Sequence, residues 1–213
     1  MIGIIGTNRA EIDGIKACLT ESFSQKISGI EFTRGLLHGS SVVVAASGKG
    51  KVNCSVCAEI IVLRYSPDYI INVGVGTALD NEPGAGKIAV ADIIMNNDID
   101  VSGDEFVCSE KLADFICRSA KIHKIGVKRG SVVTADKVVD SPEQKAELKK
   151  VYGDAILAET DGSALAQICE MNKVPFAVLR SAVQNPRDVA DAVFSRNAEN
   201  YVKILEGLLR FVD

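Results

Sequence analysis

The segments Ser47-Gly48-Lys49-Gly50-Lys51-Val52 and Asn72-Val73-Gly74-Val75-Gly76-Thr77 are two glycine-rich turns, and each directly follows a short apolar run. The apolar runs, residues 41–46 and 69–71, are typical of buried strands. In an open α/β sheet, ligands bind beyond the carboxyl ends of the strands, where such turns lie. The two segments therefore predict an α/β fold with a ligand site at one edge of its sheet.

Glycine at these turns has two interpretations. Without a Cβ, the backbone can adopt positive φ, and its N–H groups can come close to the oxygen atoms of a ligand. Glycines also close strand-to-helix turns that bind nothing. A single turn would favour the second interpretation, whereas two turns behind apolar runs leave both open.

Apolar runs and helical periodicity alternate along the whole chain. We predict strands at 2–5, 41–46, 69–73, 87–94, 130–133, 155–158 and 175–180. We predict helices at 10–19, 52–64, 110–123, 142–151, 162–172 and 189–209. This order indicates a single domain over residues 1–213, in which helices cover a mixed, mostly parallel sheet.

The composition is that of a soluble globular protein. Of the 213 residues, 47% are hydrophobic and 24% are charged, so the chain can bury a substantial core. The net charge is -4 and there is no long basic run, which argues against nucleic acids and anionic membrane surfaces as partners. No apolar run reaches the length of a membrane span.

Six cysteines are scattered along the chain, and Cys54 and Cys57 form a CxxC pattern. Because no export signal is apparent, we expect reduced thiols and a cytoplasmic location. The CxxC pattern lies within the helix predicted at 52–64 and has no second CxxC to complete a zinc site, so burial in the core is favoured. We expect neither a metal nor a cofactor.

The same predicted helix carries Val52, Val56, Ile60 and Leu63 at helical spacing. This apolar face can pack on the core or on a partner subunit. The core is the favoured interpretation, because a central sheet needs cover on both of its faces.

The acidic segment Glu159-Thr160-Asp161 ends an apolar strand and precedes a predicted helix. If the strand continues through it, Glu159 and Asp161 point the same way and can accept hydrogen bonds from the vicinal hydroxyls of a sugar. Alternatively, Asp161 caps the helix while Glu159 is solvated. Spacing alone favours the cap.

Several segments, in order along nearly the whole chain, resemble the nucleoside phosphorylase superfamily, and its 5′-methylthioadenosine/S-adenosylhomocysteine nucleosidases most of all. They are Gly3-Ile4-Ile5-Gly6 with Glu11, SGKGKV at 47–52, PDYIINVGVGTAL at 67–79, GKIAVAD at 86–92, AETDGSALAQIC at 158–169 and VPFAVLRS at 174–181. The resemblance implies a three-layer α/β/α fold, a homodimer, and hydrolysis of the N-glycosidic bond of a purine nucleoside. In that reaction a glutamate activates the attacking water and an aspartate protonates the departing base.

Carried over by position, the resemblance implies that Glu11 activates the water. Ser47 and Gly48 fall on the turn that lines the nucleophile side, and Gly74 falls in the second turn. The segment Glu159-Thr160-Asp161 falls on an acidic signature whose last member grips the ribose hydroxyls. Asp161 would make that contact with a shorter side chain than the family's glutamate.

Other positions depart from the family pattern. Gln184 falls where the catalytic aspartate is expected, and an amide cannot donate a proton and regenerate. Asp188, four residues later, is the candidate for an acid displaced by a short insertion. In the base pocket, beside Val139, Val138 replaces an aromatic residue that would stack on the purine, which implies a changed or less tightly held base.

Three functions are compatible with these residues. The first is a nucleosidase, the second is a catalytically impaired nucleoside-binding homologue, and the third is a phosphorylase or hydrolase in which Gln184 reads a different base. Asn72, where the phosphorylases carry an arginine, favours hydrolysis. Arg9, Lys49 and Arg187 leave a phosphate or a phosphorylated ligand open.

Overall fold

The computed structural model describes residues 1–80, 86–98, 105–188 and 191–212. Its strands are Ile2–Gly6 (β1), Thr20–Ile27 (β2), Ile30–Leu37 (β3), Ser40–Ala46 (β4), Tyr69–Ala78 (β5), Ile88–Asn96 (β6), Glu105–Val107 (β7), Val127–Thr134 (β8), Ala155–Glu159 (β9) and Phe176–Val183 (β10). Its helices are Arg9–Ala17 (α1), Lys51–Tyr65 (α2), Glu110–Ile122 (α3), Pro142–Val151 (α4), Gly162–Met171 (α5) and Asp191–Val212 (α6), with a short 3₁₀ helix at Pro186–Asp188.

Every predicted strand and helix is present, with shifts at the ends. The start predicted for the last helix, residues 189 and 190, lies outside the described residues. The sequence does not predict β2, β3 or β7. Most of β2, with the sequence TESFSQKI, is exposed and lacks the alternation of a half-buried strand. It forms because β3 pairs with β4 and then with β2, as an antiparallel extension of the sheet.

The strands form one mixed sheet in the order β10-β6-β8-β9-β5-β1-β4-β3-β2, and β7 pairs with β6. Strand β10 also pairs with β5, so that β5, β10, β6, β8 and β9 close into a ring. Parallel pairing joins β1 to β4 and β5, β5 to β10, and β8 to β6 and β9. The predicted strands are therefore mostly parallel, while β2, β3 and β7 add antiparallel pairs.

Helices cover both faces of the sheet. On one face, Ile12 of α1, Ile116 of α3 and Tyr201 of α6 share a core cluster with Ile4 of β1. The adjacent residue of β1, Ile5, points into the opposite cluster, which is closed by α2 and α5. This alternation follows from the two-residue period of a strand. The three-layer α/β/α architecture is thus confirmed.

Helix α2 turns a different face to the core from the one that spacing favours. Its buried residues include Cys54, Cys57 and Ile61, whereas Val52 and Leu63 are 77% and 70% exposed. The core interpretation of the Val52 face is therefore wrong, because the two cysteines and their neighbours cover the sheet instead. Burial raises the pKa of both thiols. None of the described helices combines the length and the apolar composition that a bilayer crossing requires.

Candidate active site

A cavity of about 630 Å³ lies beyond the carboxyl ends of β1, β4, β5 and β9. This volume is in the range of small-molecule sites. Its wall comprises Thr7, Asn8, Ala10 and Glu11 around the start of α1, Lys49 after β4, Val75, Gly76 and Thr77 of β5, Val138 and Val139 after β8, Ala158, Glu159 and Thr160 at the end of β9, and Pro186 and Arg187 of the 3₁₀ helix. The site lies at the edge of the sheet that the glycine-rich turns predict.

The predicted site residues divide into two groups. Glu11, Val138, Val139, Glu159 and Thr160 belong to the cavity wall. The others do not belong to it. Ser47 and Gly48 line an adjoining cavity of about 260 Å³, which shares Thr7 and Asn8 with the first cavity, while Gly74, Asp161 and Gln184 lie beside the wall.

Glu11 is held at the first turn of α1. Its Oε2 atom accepts a hydrogen bond from the Asn8 N–H at 2.8 Å. Its Oε1 atom is buried and has no hydrogen-bond partner among the described residues. Burial raises the pKa of this carboxyl, although nearby N–H groups and Arg180 oppose the shift. A buried carboxylate with one free oxygen at a cavity wall has the properties of a general base.

Gly74 leaves the space that Glu11 occupies. A Cβ at position 74 would lie 3.5 Å from Oε1 of Glu11 and 3.6 Å from the side chain of Arg180. Its φ is not positive, so close approach rather than an unusual backbone conformation is the reason that a small residue suits this position. The second glycine-rich turn therefore contributes to the site by admitting two charged side chains.

Glu159, rather than Asp161, binds the N-terminus of α5. Its Oε2 atom accepts from the Gly162 N–H at 2.8 Å and from the Asp161 N–H at 3.1 Å. A Cβ on Gly162 would lie 2.9 Å from Oε1 of Glu159. Asp161 occupies the N-cap position, but its side chain makes no cap hydrogen bond. Both parts of the capping interpretation are thus wrong, because Glu159 is buried and makes the contacts assigned to Asp161.

Asp161 lies beneath the cavity, where it is bound to Arg180. The Arg180 Nη2 atom lies 2.6 Å from Oδ1 of Asp161 and 2.7 Å from Oε2 of Glu159. The Thr7 hydroxyl donates to Oδ2 of Asp161 at 2.7 Å. Asp161 is only 1% exposed, so both of its oxygens are directed to protein partners. The expected grip of Asp161 on ribose is not present, since the shorter side chain binds Arg180 and Thr7.

Arg180 is the functional residue that the sequence does not single out. It is 1% exposed on a strand whose residues are all buried, and it also donates to the main-chain and side-chain oxygens of Asn72. An arginine inside an otherwise apolar strand, downstream of two acidic residues, was the available signal, since a buried charge needs a partner. Burial, opposed by Arg180, raises the pKa of Asp161 to about 7, whereas Arg180 and hydrogen bonds outweigh burial and lower the pKa of Glu159.

Gln184 follows β10, whose last residue, Val183, pairs with Thr77 of the cavity wall. The Lys145 Nζ atom lies 2.8 Å from the Gln184 main-chain oxygen and 3.1 Å from its Oε1 atom. Because an ammonium group only donates, it fixes Oε1 towards α4 and leaves the amide NH₂ unassigned. The side chain of Asp188 lies outside what the structure describes.

The wall near Val138 is apolar and tied to the neighbouring strands. The Thr77 hydroxyl donates to the Val139 carbonyl oxygen at 2.6 Å. Arg187 forms an ion pair with Asp140, two residues after Val138, so the 3₁₀ helix is linked to the same segment. The cavity thus has an apolar end at Val138 and Val139 and an acidic part at Glu11 and Glu159.

Comparison with known proteins places this site in a family. A sequence model of the phosphorylase superfamily matches residues 1–210. A 5′-methylthioadenosine/S-adenosylhomocysteine nucleosidase from Shewanella loihica is 32% identical over 197 residues, which cover 86% of each chain.

Solved structures share the fold. The same kind of nucleosidase from Neisseria meningitidis, in complex with methylthio-immucillin-A, superposes with a TM-score of 0.91 at 23% identity, over 99% of this chain and 98% of that one. The futalosine hydrolase of Helicobacter pylori superposes with a TM-score of 0.89 at 25% identity, over 99% and 97%. The chain therefore belongs to the phosphorylase superfamily.

Proposed function

We propose that this protein hydrolyses the N-glycosidic bond of a purine nucleoside of the 5′-methylthioadenosine or S-adenosylhomocysteine kind. Nucleosidases of that name are its relatives across most of the chain. The single observation that carries the proposal is the free, buried Oε1 atom of Glu11 at the cavity wall. A base that removes a proton from water needs this placement and a pKa above that of an ordinary carboxyl.

The remaining parts of the reaction can be assigned around Glu11. The positive charge that develops on the sugar lies near the carboxylates of Glu11 and Glu159, which favour it. Arg180 and Asp161 are positioning residues, because they hold Glu159 and lie beneath the cavity rather than in its wall. Thr160 lines the cavity and offers a hydroxyl to the ribose. Ser47 and Gly48, in the adjoining cavity, lie on the water's side of the sugar.

The departing base needs a proton, and Asp188 is the residue we assign to supply it. Asp188 ends the 3₁₀ helix whose preceding residues, Pro186 and Arg187, line the cavity. Gln184 is unsuited to the role, because its amide does not titrate and its Oε1 atom is bound to Lys145.

A homodimer and a cytoplasmic location complete the proposal. Val52, Val56 and Leu63 are exposed on α2, and burial of this apolar face against a second copy would remove it from water. The buried thiols of Cys54 and Cys57 suit a reducing compartment.

Release of free base tests the reaction. The purified protein is incubated with 5′-methylthioadenosine, S-adenosylhomocysteine, adenosine, inosine and uridine, each with and without inorganic phosphate. We expect adenine release that does not depend on phosphate. Release only in the presence of phosphate would indicate phosphorolysis, and release from inosine or uridine alone would indicate a different base.

A nucleoside-binding homologue without turnover is the second candidate, and the Lys145–Gln184 contact favours it. This contact replaces the expected acid by a neutral amide held by a cation. In that case none of the nucleosides would be cleaved, yet 5′-methylthioadenosine would raise the melting temperature, because a ligand that binds only the native state stabilises it.

A further inference from the structure

The strand order sets out the cavity from one end to the other. Val138 and Val139 follow β8, Glu159 ends β9, Glu11 follows β1, and Lys49 follows β4. These strands are neighbours in the order β8-β9-β5-β1-β4. At about 4.8 Å between strands, the cavity extends roughly 19 Å from the valines to Lys49. A nucleoside with its base at the valines and its sugar between Glu159 and Glu11 therefore directs its 5′ side towards Lys49.

Lys49 differs from the other cations of this region in its partners. Arg187 is paired with Asp140, and Lys51, two residues from Lys49, is paired with Asp98. For the ammonium group of Lys49, no ion pair to any of the described residues is found. A cation that lines a ligand cavity without a carboxylate partner is available to a negatively charged ligand group.

The backbone holds Lys49 in this place. Gly48 and Gly50, on either side of it, both adopt positive φ, at 90° and 86°. The Lys49 carbonyl oxygen accepts a hydrogen bond from the Asn53 side chain at 2.8 Å, which ties the turn to the first part of α2. The turn is thus shaped so that the side chain between the two glycines borders the cavity.

We propose that Lys49 binds an anionic group, a carboxylate or a phosphate, carried on the 5′ side of the nucleoside. This inference rests on the proposed function, because it uses the same cavity and the same orientation of the nucleoside. It makes Lys49 a specificity-determining residue: the protein favours nucleosides with a charged 5′ substituent over those with a neutral one.

Three probes separate the sources of the charge: 5′-methylthioadenosine is neutral on its 5′ side, S-adenosylhomocysteine carries a carboxylate there, and adenosine 5′-monophosphate carries a phosphate. For each, kcat/KM is measured with the unmodified protein, Lys49→Met, Lys49→Arg and the control Lys137→Met, which removes an exposed cation outside the cavity wall. We expect Lys49→Met to lower the ratio of charged to neutral substrate by about tenfold, the loss of one charge-assisted hydrogen bond. Lys49→Arg and Lys137→Met should retain the ratio.

The charged probe whose ratio falls identifies the group as carboxylate or phosphate. If neither ratio changes in Lys49→Met, or if Lys137→Met lowers it equally, the inference is overturned. Ligand-induced shifts in melting temperature, measured for the same probes and variants, separate this result from failure of the proposed reaction. Should no probe be cleaved, a Lys49-dependent preference in these shifts supports the inference, and equal shifts for charged and neutral probes refute it.

Discussion

Arg180 places one guanidinium nitrogen, Nη2, 2.6 Å from Asp161 and 2.7 Å from Glu159, so a single buried cation holds both carboxylates of the acidic segment. The ion pairs lie on β9, β10 and the start of α5, beneath the cavity that Glu11 and Glu159 border. The acidic segment therefore supports the site from below through Arg180, and only Glu159 of its two carboxylates reaches the wall.

Loss of Arg180 should strongly destabilise the protein. Arg180→Met leaves Glu159 and Asp161 buried without a counter-charge, and such a change costs about 3–5 kcal/mol of unfolding free energy. Urea unfolding measures the difference. The matched control is Arg187→Met, which breaks the partly exposed pair with Asp140 and should cost at most about 1 kcal/mol. Equal losses in the two variants would contradict the role of Arg180 as the buried counter-charge.

The pKa of Asp161 makes stability depend on pH in a defined direction. Burial raises this pKa from 3.8 to about 7, so between these values the folded protein retains a proton that the unfolded chain releases. The contribution of Asp161 is complete below pH 3.8 and is lost as pH rises through about 7. Relative to Asp161→Asn, the unmodified protein should therefore lose unfolding free energy from pH 4 to pH 7. A constant difference between the two proteins over this range would show that Asp161 has an ordinary pKa.

Replacement of Glu11 by glutamine should remove turnover but not binding. Gln can still accept from the Asn8 N–H, so the helix start is preserved, whereas an amide cannot take a proton from water. We expect kcat to fall by about 100- to 10,000-fold, with little change in the melting-temperature shift produced by 5′-methylthioadenosine. Glu199→Gln, an exposed position on α6, is the control.

The pH profile distinguishes a catalytic Glu11 from a structural one. Its pKa is raised above 4.5 by burial, and the base must be ionised, so kcat/KM should increase with pH through that raised pKa. The residual activity of Glu11→Gln should lack this acidic limb. A limb that persists unchanged in the variant would assign it to another group.

An aspartate at position 184 should be a poor acid as long as Lys145 is present. The ammonium group that binds Oε1 of Gln184 would pair with the new carboxylate and lower its pKa. Gln184→Asp alone should therefore release adenine no faster than the unmodified protein, whereas Gln184→Asp with Lys145→Met should release it faster. Lys145→Met alone serves as the control, and a full gain from Gln184→Asp alone would contradict the assigned contact.

How far the sequence predicts the site depends on whether a feature is local. The apolar runs before the two glycine-rich turns predict β4 and β5 and the edge at which the cavity lies. Strand β2 is not predictable in this way, because its residues are mostly exposed and its pairing partner supplies the order. The face of α2 is also undetermined, since cysteines and apolar residues compete for the core and only the packed sheet selects between them.

By itself the sequence determined the order of strands and helices, the edge of the sheet that binds ligand, and Glu11 as the base, because these follow from periodicity, glycine and a family pattern close to the chain start. Tertiary structure alone decided the partners of the charged groups. Arg180 meets Asp161 and Glu159, and Lys145 meets Gln184, across 19, 21 and 39 residues of sequence. Charges in a buried or crowded place take whichever partner the fold brings within reach, since an unpaired buried charge is costly. That is why Asp161 faces Arg180 and Lys49 faces the cavity.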